Sequence, residues 1–537
     1  MTELFSCLRT NLLVISPGHQ ASMYKIALCR FIILFFASAL FACGGASGSS
    51  GNTSTSTSSM QQVASSNFSS AVPSQSSVIS DLNSSTLRIS SSTASSLLNK
   101  SSTSAVINSS LIDAGSSLSS KSTSSTNKSV SQNSVSSVSN ALVDIPLQKQ
   151  ITKVQPMTGI VLWADSHNNS VLKTDDQYIQ LEYAYVRPSD IVIADNTYDW
   201  TPLENLLNEI SERRKQAILR WYYVYPGQPT AVPAYIKNLS DYHETTEKSE
   251  GLNTGFPDWS HTELQQATLD FYTAFANRYD NDPRIAFVQA GFGLWGEYHI
   301  YDPEVRLGEN FPSKAYQKTF LQHLDAKFNK LHWSISIDAG DSKNTPIAND
   351  ASLRALQFGN FDDSFMHEKH AEYNKDMWTI FNYTNRYQHS PHGGELSYYS
   401  DFDQQNALNP NGMYGRTYEA LSAGFHITYM IGNDQPEYRS AQRIKEAGMA
   451  NGYKFHITEF KASSTTSRVT ITNRGVAPIY YDAYVAVDGV RSTQSLKGLL
   501  PNTSLTLDIG TGGLNPLLTI ECDHLVEGQE IQFNADL

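Results

Sequence analysis

Two glutamates stand where carboxyl groups could do acid–base and nucleophilic work. Glu297 lies in Ile285-Ala-Phe-Val-Gln-Ala-Gly-Phe-Gly-Leu-Trp-Gly-Glu-Tyr-His299, and Glu395 in Pro391-His-Gly-Gly-Glu-Leu-Ser-Tyr-Tyr399. Each sits just beyond, or within, glycines that end a strand, where the backbone turns sharply or lets another group come close. A carboxylate between aromatics at the C-terminal end of a buried strand is where an α/β barrel keeps its chemistry. The plain alternative is a Glu297 that caps the next helix or pairs with a buried Arg. Two carboxyl groups facing each other over a cleft meet the requirement for glycosidic cleavage. One protonates the leaving oxygen and the other acts on the anomeric carbon. Their mutual repulsion splits the two pKa values, which keeps one group protonated as the acid.

Other side chains cluster near the same strand ends. Trp163, Tyr185, Trp221, Tyr223, Trp259, Trp295, Tyr298 and Tyr398 offer flat faces that stack on sugar rings, with about half expected to be barrel core instead. His367 and His392 lie near the ends of strands six and seven and could orient a nucleophile, although a structural role is commoner for a lone histidine. Asp338, at the tip of strand five, is a similar candidate. No His-Glu-x-x-His, Gly-x-Ser-x-Gly or phosphate-cradling Gly-Lys motif is present, so metalloprotease, esterase and kinase readings lack support.

The elements that must position these residues alternate between strand-like and helical runs, the pattern of a parallel α/β architecture. Strands are expected at Gly159–Trp163, Ile179–Arg187, Ala217–Val224, at the Ile285 stretch, and at His332–Asp338, Asp363–His367, His389–Glu395 and Phe425–Met430. Helices are expected at 201–215, 264–279, 313–330, 375–387, 414–423 and 437–450, with none visible between the first two strands. Eight strands in about 300 residues suit a (β/α)8 TIM barrel over residues 146–450. In such a barrel strands four and seven lie nearly across the mouth from each other. From 451 to 537 short alternating runs between turns predict an antiparallel β-sandwich, which could cover a barrel edge or bind a ligand.

Composition sets the rest of the chain apart. Residues 44–145 are dominated by Ser and nearly free of aromatics, so they are expected to form a disordered linker. Ahead of it, Met23 opens a short basic region, an apolar core of about a dozen residues and a small-residue cleavage site, the layout of a secretory signal. The core falls short of the about 20 apolar residues a transmembrane helix needs. Met23 is an alternative start. Leu40-Phe41-Ala42-Cys43 resembles the bacterial lipobox, which implies a signal peptide over 1–43, lipidation of Cys43 and an outer-membrane lipoprotein of a bacterial cell envelope. Ordinary secretion is the alternative. Of four cysteines only Cys522 lies in the globular part, which excludes an intrachain disulfide there and a thiolate zinc site. A net charge of −13 argues against nucleic acid as a partner.

Tyr183-Ala-Tyr-Val-Arg-Pro-Ser-Asp190, followed by Tyr198-Asp-Trp200, resembles the second strand of clan A glycoside hydrolases and their relatives. Arg278-Tyr-Asp-Asn-Asp-Pro-Arg284 and the Trp295-Gly-Glu-Tyr-His299 core look like a glycosidase-like barrel family known mainly as domain of unknown function 4832, whose signature is Gly-x-Trp-Gly-Glu-Trp-His. The similarity covers roughly residues 156–450. It implies Glu297 as general acid/base, Glu395 as nucleophile and a retaining mechanism. The clan usually has Asn before the acid, where it binds the sugar 2-hydroxyl; here Gly296 stands in its place. Arg187, Arg220 and His299 are candidates to supply that hydrogen bond. The expectation is therefore a surface-anchored glycoside hydrolase acting on a polysaccharide or oligosaccharide. The substrate is held by Arg187, Tyr185, Trp221, Tyr223, Trp295, Tyr298, His299, His367, His392 and Tyr398. Neither cofactor nor metal is expected, and the chain should be a monomer. A non-catalytic glycan-binding lipoprotein on the same barrel is the alternative.

Overall fold

The computed structural model describes residues 141–165, 170–368 and 371–537. The leader, Met23, Cys43 and the Ser-rich segment up to residue 140 lie outside the described residues.

Eight parallel strands close into a barrel in chain order. They are β1 (Gly159–Trp163), β2 (Leu181–Val186), β3 (Gln216–Trp221), β4 (Ile285–Ala290), β5 (His332–Ser336), β6 (Gly359–Phe365), β7 (His392–Leu396) and β8 (Tyr429–Ile431). Every residue of β1, β3, β4 and β7 is buried, because one face points into the barrel and the other is covered by helices. That double burial makes β1 and β4 read as unbroken apolar runs. β6 is the strand whose position differs most from expectation, beginning four residues before Asp363. Its inward face carries Phe361 and Asp363, while Asp362 on the outward face takes hydrogen bonds from Trp378 Nε1 at 3.0 Å and Asn374 Nδ2 at 2.8 Å. With polar residues on both faces, alternation in hydropathy does not mark the strand.

The helices between and after the strands include α1 (Ser170–Thr174), α2 (Thr201–Glu212), α3 (Thr262–Tyr279), α4 (Lys314–Lys327), α5 (Ala371–Ile380), α6 (Tyr418–Phe425) and α7 (Ala441–Met449), with several of four to six residues besides. Ser313, Thr417 and Ser440 cap α4, α6 and α7 by accepting from backbone N–H groups in the first turn. The join between β1 and β2, which shows no helical pattern, holds the five-residue α1. An antiparallel hairpin, Thr245–Ser249 with Leu252–Phe256, projects between β3 and β4.

The C-terminal segment forms β9 (Phe455–Ala462), β10 (Ser467–Asn473), β11 (Ala483–Val487), β12 (Val490–Arg491), β13 (Ser504–Ile509), β14 (Leu518–Cys522) and β15 (Phe533–Asp536). They make two sheets, β13-β10-β9-β15 and β12-β11-β14. Pairing is antiparallel except between β9 and β15, which run parallel. Two short strands ahead of the barrel, Val143–Asp144 and Gln148–Lys149, extend the larger sheet through β9 and β15. This module closes the N-terminal end of the barrel. Tyr481 Oη donates to Ala286 O at 2.6 Å, and Gln216 Nε2 donates to His524 O at 2.8 Å. One buried cluster runs from Phe287 and Tyr429 inside the barrel to Phe455, Val469, Val485 and Ile520 in the two sheets. The opposite, C-terminal end is left for chemistry.

Candidate active site

The segment after β4 is a tight knot that presents Glu297. Gly293 N–H and Phe292 N–H both donate to Glu297 O, at 2.7 and 3.0 Å, and Leu294 N–H donates to His299 O at 3.0 Å. Three glycines are obligatory here, the first being Gly291, where a Cβ would lie 2.3 Å from Gly296 O. A Cβ on Gly293 would lie 2.0 Å from His299 O. Gly296 has φ +74°, and a Cβ there would meet Trp221 O at 2.7 Å and Tyr222 Cβ at 3.1 Å. The chain passes so close to β3 that no side chain fits before Glu297. The Asn of the clan pattern is thus excluded sterically. Trp295 itself has φ +54°, a left-handed conformation that an aromatic residue adopts only when its surroundings impose it.

Glu297 is 2% exposed and pairs with the wholly buried Arg220 of β3, Nη1 to Oε1 at 2.6 Å. The plain alternative, a Glu paired with a buried Arg, is realised. Arg220 Nε donates to Gln289 Oε1 at 2.6 Å, Gln289 Nε2 donates to Tyr429 Oη at 2.8 Å, and Arg220 Nη1 also reaches Tyr185 Oη at 3.2 Å. The guanidinium lies over the Phe361 ring, 4.5 Å from its centroid. This network forms the floor of a cavity of about 810 Å³ at the C-terminal end of the barrel.

The cavity is lined by Trp163, Tyr185, Tyr225, Glu250, Trp295, Glu297, His299, Tyr301, Asp338, Asp363, Tyr373, Asn374, Glu395, Tyr398 and Tyr399. Both candidate carboxyl groups therefore share it. Glu297 Oε1 is held by Arg220, while Oε2 accepts no hydrogen bond and has His299 Nδ1 3.5 Å away. His299 Nδ1 lies 3.4 Å from Asp338 Oδ2. Burial pulls the His299 pKa down, but Asp338 and Glu297 outweigh it and raise it to about 10. Burial and the neighbouring Asp363 push Glu297 well above the carboxylate range, against the pull of Arg220 and His299. Burial also raises Asp363, with Asp338 adding to it, whereas His299 holds Asp338 low against the effect of its own burial. Glu395, 8% exposed and free of hydrogen bonds among the described residues, is raised by burial to about 7 despite Arg220.

Glu297, His299, Asp338 and Asp363 offer four ligand atoms within 4.8 Å of one another, a spacing a divalent cation could fit. Charge opposes it. Such an ion would share Glu297 with the Arg220 guanidinium, whose Nη1 is 2.6 Å from Oε1.

The structure brings Tyr185, Trp295, Glu297, His299, Glu395 and Tyr398 together in the cavity. It places others elsewhere. Trp221 points outward into the helix layer, edge-on to Phe271 and Phe275 at 4.7 and 5.4 Å. Tyr223 packs on Trp259 and bonds Thr268 at 2.9 Å, and Tyr298 packs on Phe292 and Phe311. His392 is fully buried against Trp378, with Nδ1 2.8 Å from Phe425 O and a pKa pushed by burial to about 3. These four are core because alternate residues of a barrel strand face the helices, and the loops after strands fold back onto them. His367 stands behind the lining, 2.5 Å from Asp403 Oδ2 and stacked on Tyr399. Arg187 pairs with Asp190 on the surface at 2.8 Å. Sequence reasoning missed Asp363, Tyr225, Glu250, Tyr301, Tyr373, Asn374 and Tyr399 as lining residues. Glu250 comes from the hairpin tip, beside Tyr301 Oη, and carries no strand-end signal; Asp363 was visible only as part of an expected strand.

No family model and no curated protein matches the chain. Solved structures similar to it include endo-glycoceramidase II from Rhodococcus sp. as its lactosyl-enzyme intermediate, 9% identical over 68% of this chain and 100% of that one, TM-score 0.35. A glycoside hydrolase family 30 subfamily 8 xylanase from Clostridium acetobutylicum is 11% identical over 68% and 98%, TM-score 0.31. An alpha-galactosidase from Thermus thermophilus is 13% identical over 60% and 66%, TM-score 0.33. Likeness this weak carries no argument about chemistry, and the barrel rests on its own strand pairing.

Proposed function

We propose that the chain is a glycoside hydrolase that cleaves O-glycosyl bonds of a polysaccharide or oligosaccharide by a retaining mechanism. The observation that carries this is two nine-tenths-buried carboxyl groups, at the ends of β4 and β7, sharing one aromatic-lined cavity with both pKa values raised, Glu297 the further. Glu297, anchored through Oε1, keeps Oε2 to protonate the leaving oxygen. Glu395 attacks the anomeric carbon as the carboxylate, and the covalent ester is then hydrolysed by water that Glu297 deprotonates. The relation to the unknown-function barrel family, the lipid anchor at Cys43, the envelope location and the monomeric state belong to the same proposal.

Glu297→Gln and Glu395→Gln should each abolish release of reducing ends from a panel of plant and algal polysaccharides, with folding intact by circular dichroism. Cleavage retained in both variants would overturn the proposal. A second reading, a glycan-binding barrel without catalysis, is favoured by one observation: Glu297 is already engaged with a buried arginine. It predicts that the wild-type protein binds members of the panel and cleaves none.

A further inference from the structure

The charges of the cavity do not balance. Among the described lining residues there are five carboxyl groups, Glu250, Glu297, Asp338, Asp363 and Glu395, one imidazole, and neither Lys nor Arg. Among the described residues two cations lie close to these carboxyl groups. Arg220 lies beneath the floor, 0% exposed and turned from the opening, and donates to Glu297 Oε1 at 2.6 Å; His299 stands 3.4 Å from Asp338. That leaves Glu250, Asp363 and Glu395 without a cation. Several polar atoms of the lining also lack a partner among the described residues. Glu395 accepts no hydrogen bond from a described residue although it is 8% exposed, and Oε2 of Glu297 and Oδ2 of Asp338 accept none either. Trp163 Nε1, Tyr398 Oη and His299 Nδ1 of the lining are buried without a partner as well. A buried acceptor without a partner is costly, and a ligand that donates to it recovers that energy. A ligand anion would meet like charge in a partly desolvated site, where no described lining residue offers a guanidinium or ammonium to receive it.

Resting on the hydrolase reading of the same cavity, we infer that the sugars entering it are uncharged or amine-bearing, and that uronates and sulfate esters are rejected. Hydroxyl and ammonium groups supply the donors that Glu395 and Oδ2 of Asp338 lack, while the eight aromatic side chains of the lining suit the apolar ring faces of any sugar. The ligand chemistry has two sources, plain hydroxyls or a free amine.

The test uses the full chain. Binding to the Glu297→Gln variant, which blocks cleavage and keeps Glu250, Asp363 and Glu395, is measured by calorimetry, and cleavage by the wild type is read from reducing ends. The probes are oligosaccharides of several backbones, each in neutral, amine-bearing, carboxylated and sulfated form. The expected result is that, on whichever backbone binds, an anionic group weakens binding by about tenfold or more. The amine-bearing form should bind at least as well as the neutral one; a neutral form that binds better assigns the donors to hydroxyls and keeps the inference. Replacing the exposed hairpin-tip residue, Glu250→Lys, should narrow the gap between neutral and anionic probes severalfold. An anionic form bound or cleaved by the wild type as well as its neutral counterpart overturns the inference while leaving the hydrolase reading intact. Neutral binding without cleavage does the reverse. Binding of no form of any backbone overturns both.

Discussion

Removing the candidate nucleophile should make the protein more stable, and only above a definable pH. Glu395 is buried, unbonded and raised from an ordinary 4.5 to about 7. A carboxyl group whose pKa is higher in the folded chain than in the unfolded one binds its proton more tightly when folded. Between the two pKa values the folded state therefore holds more protons, and stability falls as pH rises. The loss begins near pH 4.5 and is complete just above pH 7. At about 1.4 kcal/mol per pKa unit the full effect is roughly 3 kcal/mol. Glu395→Gln keeps the shape and has nothing to ionise. It should match the wild type near pH 4.5 and gain on it steadily, to be about 3 kcal/mol more stable at pH 8. For a folded part of this size that is a Tm difference of roughly 3–6 °C. Asp363 and Asp434 sense Glu395, so part of the gain passes through their own easier ionisation. Thermal unfolding of both proteins at half-unit steps from pH 4.5 to 8 measures the difference directly, because titrations remote from the site cancel. Two curves that stay parallel across this range would refute the desolvated, unpaired Glu395 and with it the electrostatics of the site.

Five further outcomes follow from the same geometry. The kcat/KM of the wild type should rise through about pH 7 as Glu395 ionises, then fall at higher pH as Glu297 loses its proton, read from a pH–rate profile on any cleaved substrate. Gly296→Ala should cost about 3 kcal/mol by denaturant unfolding and more than 10²-fold in activity, because a left-handed φ and a clash with Trp221 O displace the acid; Gly296→Asn should fare no better. Arg220→Met should cost about 3 kcal/mol or more and move the alkaline limb of the profile upward, since the guanidinium is the group that holds the Glu297 pKa down. His392→Gln should lower Tm and leave KM unchanged, the signature of a core histidine, whereas Tyr399→Ala at the exposed rim should raise KM about fivefold with Tm unchanged.

Local sequence determined where chain direction and burial change. The apolar run of β4 and the glycines after it place a strand end and a carboxylate at Glu297, and the same reasoning reaches Glu395, because strand burial and glycine turns are local properties. The eightfold alternation gave the barrel for the same reason: each β–α unit must cover its own apolar face. Tertiary structure alone decided which way side chains point. Trp221 and Arg220 are neighbours on one strand, yet one packs in the helix layer and the other carries the floor of the cavity. A shift of one residue in register would exchange them, and no hydropathy pattern fixes that for a strand buried on both faces. The same holds for Asp363, brought beside Glu297 from a different strand, and for Glu250, delivered by a hairpin. Long-range closure also explains Gly296. Sequence marks it as a departure from a known pattern. The approach of the β4 loop to the carbonyl of Trp221 shows that the space for any side chain there is already filled by backbone.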